Sequence, residues 1–253
     1  MLSVCVVTYN SRNVVLETLR SLAEAAGLVP MTVFVSDNAS DDGTCHAVQE
    51  SFPFVRLIQN EVNRGYGGAN NAVLPLLDSD YHLVLNPDVV FEPEALRGML
   101  AYMDAHPEAV LLTPHVLNPD GSEQRLPKRQ PTLRYLLGGL LERFGPPFSR
   151  WRHVYTGGGM DLTVPAPVEL ATGCFMLFRT DVFIKLGGFD ALFFMYMEDA
   201  DLSRRALDAG QIHYHPDFCV THQWKRASHH SGKGRATHIQ SALRFFQKWG
   251  WHL

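Results

Sequence analysis

Residues 192–207 read LFFMYMEDADLSRRAL, an apolar and aromatic run that ends on Glu198, Asp199 and Asp201. Two chemistries fit that pattern. Acidic side chains in a first helical turn meet unpaired N–H groups and the positive end of the dipole. A carboxylate at the rim of an apolar pocket can instead take a proton or hold a ligand. Asn86-Pro87-Asp88 closes the apolar run YHLVL. Proline fixes the backbone there, and an acidic oxygen emerging beside it suits a hard divalent cation shared with a diphosphate; an Asx-turn explains the same residues without a metal. Asp37, in VSDNASDDGT, is either a turn and N-cap residue or a carboxylate that reads a ribose or a base edge. NRGYGGANNAV, at 63–73, offers Arg64 and glycines to a nucleotide but has neither G-x-G-x-x-G nor a Walker lysine.

Histidines gather late in the chain, at 213, 215, 222, 229, 230 and 238. No H-E-x-x-H or C-x-x-C spacing accompanies them, so a zinc site is not expected. His222, at the end of the apolar run Phe218–Val220, is the best placed to be a ligand, and the others read as surface or acceptor-side groups.

These residues need elements to hold them. Leu2–Thr8, Met31–Ser36, Val55–Gln59 and Tyr81–Asn86 are short apolar stretches with polar or turn residues at their ends, which predicts strands. Between them, helical spacing runs through Val14 to Leu22, Cys45 to Ser51 and Ala69 to Leu77. Alternating strand and helix predicts βαβ units on a parallel sheet, whose ligands bind beyond the carboxyl ends of the strands. That rule selects Thr8-Tyr9-Asn10, Asp37-Asn38 and Asn86-Pro87-Asp88. Ala109–Thr113 is a further strand, and 119–168, rich in Pro, Gly and Arg, is an excursion from the sheet carrying an amphipathic helix from Leu133 to Phe144. Val168–Phe178 reads as a strand, followed by a short helix ending at Gly187-Gly188 and a helix that carries the acidic segment and stops at Gly210.

Composition bounds the function. A chain of 253 residues with 46% apolar content and a net charge of −4, its charges interspersed, does not suit a nucleic-acid binder. Cys5, Cys45, Cys174 and Cys219 are scattered, which reads as reduced cytosolic thiols. Residues 1–7 do not resemble a signal peptide, and no apolar run reaches the ~20 residues of a span, so membrane contact is expected to be peripheral.

Taken together, VCVVTYNS, VSDNASDDGT, NRGYGGANN, LNPDVVF, ATGCFMLFR, LGGFDALFFMYMEDADLSRR and VTHQW resemble the bacterial glycosyltransferases of family two, in particular the rhamnosyltransferases of O-antigen and cell-wall assembly. The resemblance implies a GT-A fold: an α/β, Rossmann-like, mostly parallel sheet flanked by helices. It implies a single domain over 1–253, with a nucleotide-sugar half at 1–105, an acceptor and catalytic half at 106–225 and a C-terminal helix at 226–253. Asp37 is then expected to hold the base or ribose, Thr8 and Asn10 to line the nucleotide, and Arg64, Asn70 and Asn86 to approach the base or diphosphate. Asp88 would ligate Mg2+ or Mn2+, with His222 as a further ligand. Asn-Pro-Asp stands here where the family's usual motif is Asp-x-Asp, so the first carboxylate is absent. Glu198-Asp199 matches the position of the family's base, and Asp199 is preferred.

The implied reaction is inverting transfer of a sugar, L-rhamnose from dTDP-β-L-rhamnose, to a GlcNAc-diphospho-polyprenol at the cytoplasmic face of the membrane. A nucleotidyltransferase is the rival enzyme, but such proteins usually place a glycine-bearing loop after the first strand and TYNSRN has no glycine. A non-catalytic sugar-nucleotide-binding module is the other alternative, against which Glu198-Asp199 and Asp88 argue. Ile239, Ala242, Leu243, Phe246 and Trp249 share one helical face flanked by Arg235, Arg244, Lys248 and Trp251, and the 133–144 helix has a similar stripe beside Arg134 and Arg143. Both suit either an anionic membrane surface or packing on the core.

Overall fold

LSVCVVT, residues Leu2–Thr8, forms strand β1, buried at every position. A strand apolar on both faces belongs in the middle of a sheet, and β1 lies between β2 (Met31–Asp37) and β4 (Tyr81–Leu85), parallel to both. β3 (Arg56–Gln59) extends the parallel set beyond β2. The computed structural model of the chain describes residues 1–124, 126–223 and 232–253. Trp224, His229 and His230, and the side chain of Arg235, lie outside the described residues.

Beyond β4 the sheet turns mixed. β8 (Phe175–Arg179) inserts antiparallel between β4 and β6 (Ala109–Leu117), and β9 (Gln211–His222) runs parallel to β6. β5 (Val89–Phe91) and β7 (Ala166–Val168) pair antiparallel with opposite ends of β9. The order is β3-β2-β1-β4-β8-β6-β9-β5, with β7 on β9. The mostly parallel expectation therefore describes the first four strands, and Val168–Phe178 is two strands joined by a crossing segment rather than one.

Strand alternation divides the core into two layers. On one face Leu83, Leu85 and Leu177 pack against α1 (Arg12–Ala25) and α4 (Pro93–Ala105) through Leu19, Leu22, Met99 and Met103. On the other, Val84, Met176 and Phe178 meet α7 (Thr180–Lys185) and α8 (Glu198–Leu207) through Phe183, Leu202 and Ala206. α2 (Thr44–Ser51) follows β2, and α3 (Gly65–Asn70) runs into a 3₁₀ turn over Asn71–Leu76 that contains Pro75. That turn replaces the expected helix, because proline cannot donate to an α ladder.

The excursion carries α5 (Leu133–Leu141), a 3₁₀ turn at Glu142–Phe144, and α6 (Phe148–Tyr155), which the sequence reading did not anticipate. Two histidine expectations are corrected. His213 and His215 are buried against α4, and His213 Nδ1 lies 2.9 Å from the Tyr102 hydroxyl. Their place is structural.

The C-terminal helix α9 (Gly232–Trp249) is fixed by one carboxylate. Asp201, fully buried, accepts from Arg205 Nε at 2.8 Å, Lys248 Nζ at 2.6 Å and Trp249 Nε1 at 2.8 Å. Ser241 and Arg244 donate to the carbonyls of Met195 and Leu192, and Lys248 also pairs with Asp190. Phe245 and Phe246 fill a small core with Phe193 and Met197. Arg244 and Lys248 are therefore spent on the fold, in keeping with the alternative in which this helix packs on the core. The stripe itself divides: Phe246 is buried, whereas Ile239 and Leu243 are exposed.

Removing Asp201 would strand two cations with little water to replace it. Asp201→Ala is expected to cost about 3–5 kcal/mol, as when one partner of a buried ion pair is deleted, measured by urea unfolding. A loss below about 1 kcal/mol would mean that apolar packing alone holds α9.

Candidate active site

The strand exits gather the polar clusters. Thr8 Oγ1 donates to Asp37 Oδ1 at 2.7 Å, while Ser40 supplies its N–H to Oδ2 at 2.8 Å and its hydroxyl to Oδ1 at 2.6 Å. Thr8 and Asp37 are buried, so this network ties β1 to the loop after β2. Asn10, at φ 51°, donates its N–H to Ser40 Oγ and accepts the Asp41 N–H on Oδ1. The Arg64 N–H reaches Asn38 Oδ1 at 3.2 Å, and the Arg64 side chain is exposed at the edge. Asn70 is different. It is fully buried, donates to the Tyr66 carbonyl at 3.1 Å and leaves Oδ1 without a partner, so it stands behind the cleft wall rather than on it.

The glycines of NRGYGGANN have a tertiary reason. At Gly65, φ +76°, a side chain would collide with the Phe194 carbonyl, and at Gly67 a Cβ would fall 2.7 Å from Phe189 Cβ. Close approach of α3 to residues 189–194 requires both. The Tyr66 N–H bonds the Phe194 carbonyl at 3.0 Å, and its hydroxyl donates to the Gly173 carbonyl at 2.6 Å.

Asp88 and His222 come together across the β5–β9 pair, with His222 Nε2 3.2 Å from Asp88 Oδ1 and 3.3 Å from Asn86 Nδ2. Gln124, which sequence reasoning missed, faces His222 Nδ1 through Oε1 at 3.3 Å and donates to the His222 carbonyl at 3.0 Å. A carbonyl oxygen at Nδ1 fixes the ring so that Nε2 points at Asp88. Burial opposes a charge on His222, but hydrogen bonds to Asp88 and Cys174 outweigh it and push the imidazole up to about 10. A divalent cation such as Mn2+ or Mg2+ that displaced the Nε2 proton would find one carboxylate oxygen and one imidazole nitrogen so placed, and would take its other ligands from a diphosphate and water. Among the described residues no group of three or more metal-ligating side chains occurs.

At the start of α8 the three carboxylates part company. Tyr196 and Met197 hold φ of 69° and 67°, a left-handed pair that non-glycine residues adopt only under constraint. It turns the chain from the apolar run into the helix. Asp201 faces inward to α9, as described. Glu198 is buried, with Oε2 unpartnered, and burial followed by repulsion from Asp199 pushes its carboxyl up to about 8. It therefore keeps its proton at neutral pH. Asp199 Oδ2 accepts the Gly173 N–H at 3.2 Å and Oδ1 the Ala200 N–H at 2.8 Å. Together these leave the pair's negative charge at the mouth of the helix, where the dipole favours it.

Asp199, Glu198, Asn86 and His222 line one cavity of about 700 Å³, joined there by Tyr196 and His238 and by Lys128 and Arg152 from the excursion. An ionised carboxylate in a concave site can remove a proton from a bound hydroxyl. Lys128 and Arg152 were missed because LPKRQP and FSRWRHVY read as loop, and only a cationic bias marked them.

Comparison with known proteins agrees with this arrangement. The sequence pattern of glycosyl transferase family 2 matches residues 3–187. The chain is 33% identical over 253 residues to an N-acetylglucosaminyl-diphospho-decaprenol L-rhamnosyltransferase of Mycobacterium tuberculosis, covering 94% of this chain and 80% of that one. It is 29% identical over 202 residues to rhamnosyltransferase WbbL of Escherichia coli, covering 73% of this chain and 70% of that protein. A mannosyltransferase from Pyrobaculum calidifontis, solved in complex with GDP-Man and Mn2+, superposes with a TM-score of 0.66 at 19% identity, over 97% of this chain and 64% of that one. That likeness is one of fold. Pattern, relatives and architecture agree: the chain belongs to glycosyl transferase family 2 and is a glycosyltransferase with a GT-A-like fold.

Proposed function

We propose that the protein transfers L-rhamnose, with inversion, from dTDP-β-L-rhamnose to a GlcNAc-diphospho-polyprenol, using Asp199 as the base. The observation that carries the reading is the carboxyl pair lining the cavity: buried Glu198, whose surroundings favour its protonated form, and half-buried Asp199, held by two backbone N–H groups. Asp199 takes the proton from the acceptor hydroxyl as its oxygen bonds to the anomeric carbon. The bond from that carbon to the diphosphate breaks, and its electron pair leaves with the nucleoside diphosphate. The nucleotide lies over the exits of β1 and β2, with Thr8, Asn10 and Asp37 shaping its wall and Arg64 and Asn86 approaching the diphosphate. Asp88 and His222 would hold Mg2+ or Mn2+, which supplies neutralising charge for the leaving group.

The sugar and the acceptor are supported by the likeness to the mycobacterial N-acetylglucosaminyl-diphospho-decaprenol L-rhamnosyltransferase. A lipid-linked acceptor also suits α5 and the 3₁₀ turn after it, where Leu137, Leu140 and Phe144 are exposed beside Arg134 and Arg143, a composition that favours peripheral contact with an anionic membrane face. Among the described residues no helix is long and apolar enough to cross a membrane.

A panel of nucleoside diphosphate sugars, each offered with and without a short-chain GlcNAc-diphospho-lipid, tests the reading. Consumption of dTDP-L-rhamnose only when acceptor is present is the expected result, and acceptor-dependent use of a different donor instead would reject the sugar.

Asp199→Asn removes the proton acceptor and is expected to lower turnover roughly 10²–10⁴-fold with donor binding kept. Glu198→Gln, which copies a neutral carboxyl, should stay within about tenfold of the wild type; a larger loss there would move the base to Glu198. Stability gives an independent reading. Glu198 ionises near 4.5 unfolded and near 8 folded, so across that window the unfolded chain holds fewer protons and stability falls as pH rises. Glu198→Gln should flatten this dependence in melting curves, and an unchanged slope would show that Glu198 is ionised in the fold.

Asp88→Ala and a chelator should each weaken donor binding, measured calorimetrically, with no further loss when combined. Donor affinity untouched by both would reduce Asn86-Pro87-Asp88 to a turn.

A further inference from the structure

The excursion sends two cations into the cavity that holds Asp199. Lys128 and Arg152 both line it, and neither makes an ion pair or a side-chain hydrogen bond among the described residues. Both stand by one ring. Lys128 Nζ is 5.9 Å and Arg152 Cζ 5.7 Å from the centroid of Tyr155, which is itself buried. The contrast with the next residue is sharp: Arg129 Nη1 is neutralised by Glu169 at 2.9 Å.

The backbone around Lys128 is pinned. Lys128 bridges to Leu170, the Arg129 N–H bonds the Tyr155 carbonyl at 2.9 Å, and the Gln130 N–H bonds Glu169 Oε2 at 2.9 Å. Gly139 of α5 leaves room for the other cation, since a Cβ there would come 3.5 Å from Arg152 Nη1. Burial and the charge of Arg152 both work against an ammonium at Lys128, while Asp199 supports it. Like charges held near each other, partly out of water and without a counter-ion, are costly unless an anion completes them. Among the described residues Asp199 supplies the charge that supports Lys128, and the other carboxyl groups lining the cavity are Glu123, Glu142 and Glu198.

We propose that Lys128 and Arg152 form a phosphate-binding subsite for the acceptor, gripping its diphosphate so that the sugar hydroxyl is offered to Asp199. The proposal rests on the reading of the acceptor as a glycan-diphospho-lipid. Phosphate oxygens could also come from the donor, but the position of the two cations favours the acceptor. Arg152 lies against α5, which with the 3₁₀ turn after it exposes Leu137, Leu140 and Phe144, so the diphosphate would sit where an apolar surface for the lipid begins. The pair Asp88–His222 serves the donor from β5 and β9, and of the two only His222 lines this cavity. Lys128 and Arg152 are binding residues in this scheme and touch no reacting atom.

Farnesyl diphosphate, a prenyl diphosphate with no sugar, is the probe, with dTDP as the donor-side control, both titrated by calorimetry. Lys128→Met and Arg152→Gln should each weaken farnesyl diphosphate about tenfold or more, the effect of losing one charge-assisted contact. Lys128→Arg should retain it, and dTDP affinity should change less than about twofold in all three variants. Unchanged farnesyl diphosphate binding in both neutralised variants, with melting curves showing them folded, would overturn the subsite. Parallel loss of dTDP would also overturn it, by assigning the cations to the donor. The wild type's failure to glycosylate a GlcNAc-diphospho-lipid, with charge-dependent probe binding intact, would defeat the acceptor's identity and leave the phosphate subsite standing.

Discussion

Withholding water from the carboxylates at the start of α8 is the constraint around which the segments that meet there, from α3, the loop before α8 and α9, are organised. An ionised group taken out of water must find partners or give up its charge. Asp201 finds partners: Arg205 on its own helix and Lys248 and Trp249 on α9. Glu198 gives up its charge. Asp199, half-buried at the cavity, is held by two backbone N–H groups. One turn of helix thus carries a structural anchor, a carboxyl that favours its protonated form and a carboxylate tied to the backbone, distinguished by what surrounds each of them.

The same constraint explains why α9 matters to the cavity beyond the one side chain, His238, that it sends there. By binding Asp201 and the carbonyls of Leu192 and Met195, α9 fixes the loop that ends in the left-handed residues Tyr196 and Met197. Strain of that kind persists only where surrounding contacts over-determine it. On the opposite side of the loop, Gly65 and Gly67 let α3 close against Phe194 and Phe189. The acidic turn is therefore gripped from α3 and from α9 together.

The nucleotide half was readable because its signals are local. β1, β2 and β4 are apolar runs ended by polar turns, and the Asn-Pro-Asp motif falls at a strand exit as the pattern required. What lay beyond sequence reach depends on distant pairing. Nothing in FMLFR says that β8 inserts antiparallel between β4 and β6. Nor does EDAD reveal which acid faces inward, since that is settled by α9 packing from more than a helix away. The glycines of NRGYGGANN resembled a phosphate loop because glycine marks close approach whatever is approaching, here Phe194 and Phe189. Lys128 escaped notice because a lysine between prolines has no periodicity to place it.

β9 is the last strand among the described residues yet lies inside the sheet, between β6 and β5. On the ribosome, β5 emerges long before the strand it pairs with, and Val89 and Phe91, buried in the folded protein, must wait for Val220 to His222. Domains assemble as units as synthesis proceeds from the N-terminus, and non-local pairings of this kind come late. A nascent chain can therefore lay down β1 to β4 early, but Asp88 has no histidine beside it until residue 222 is free. A chain halted before that residue holds the early strands without the Asp88–His222 pair.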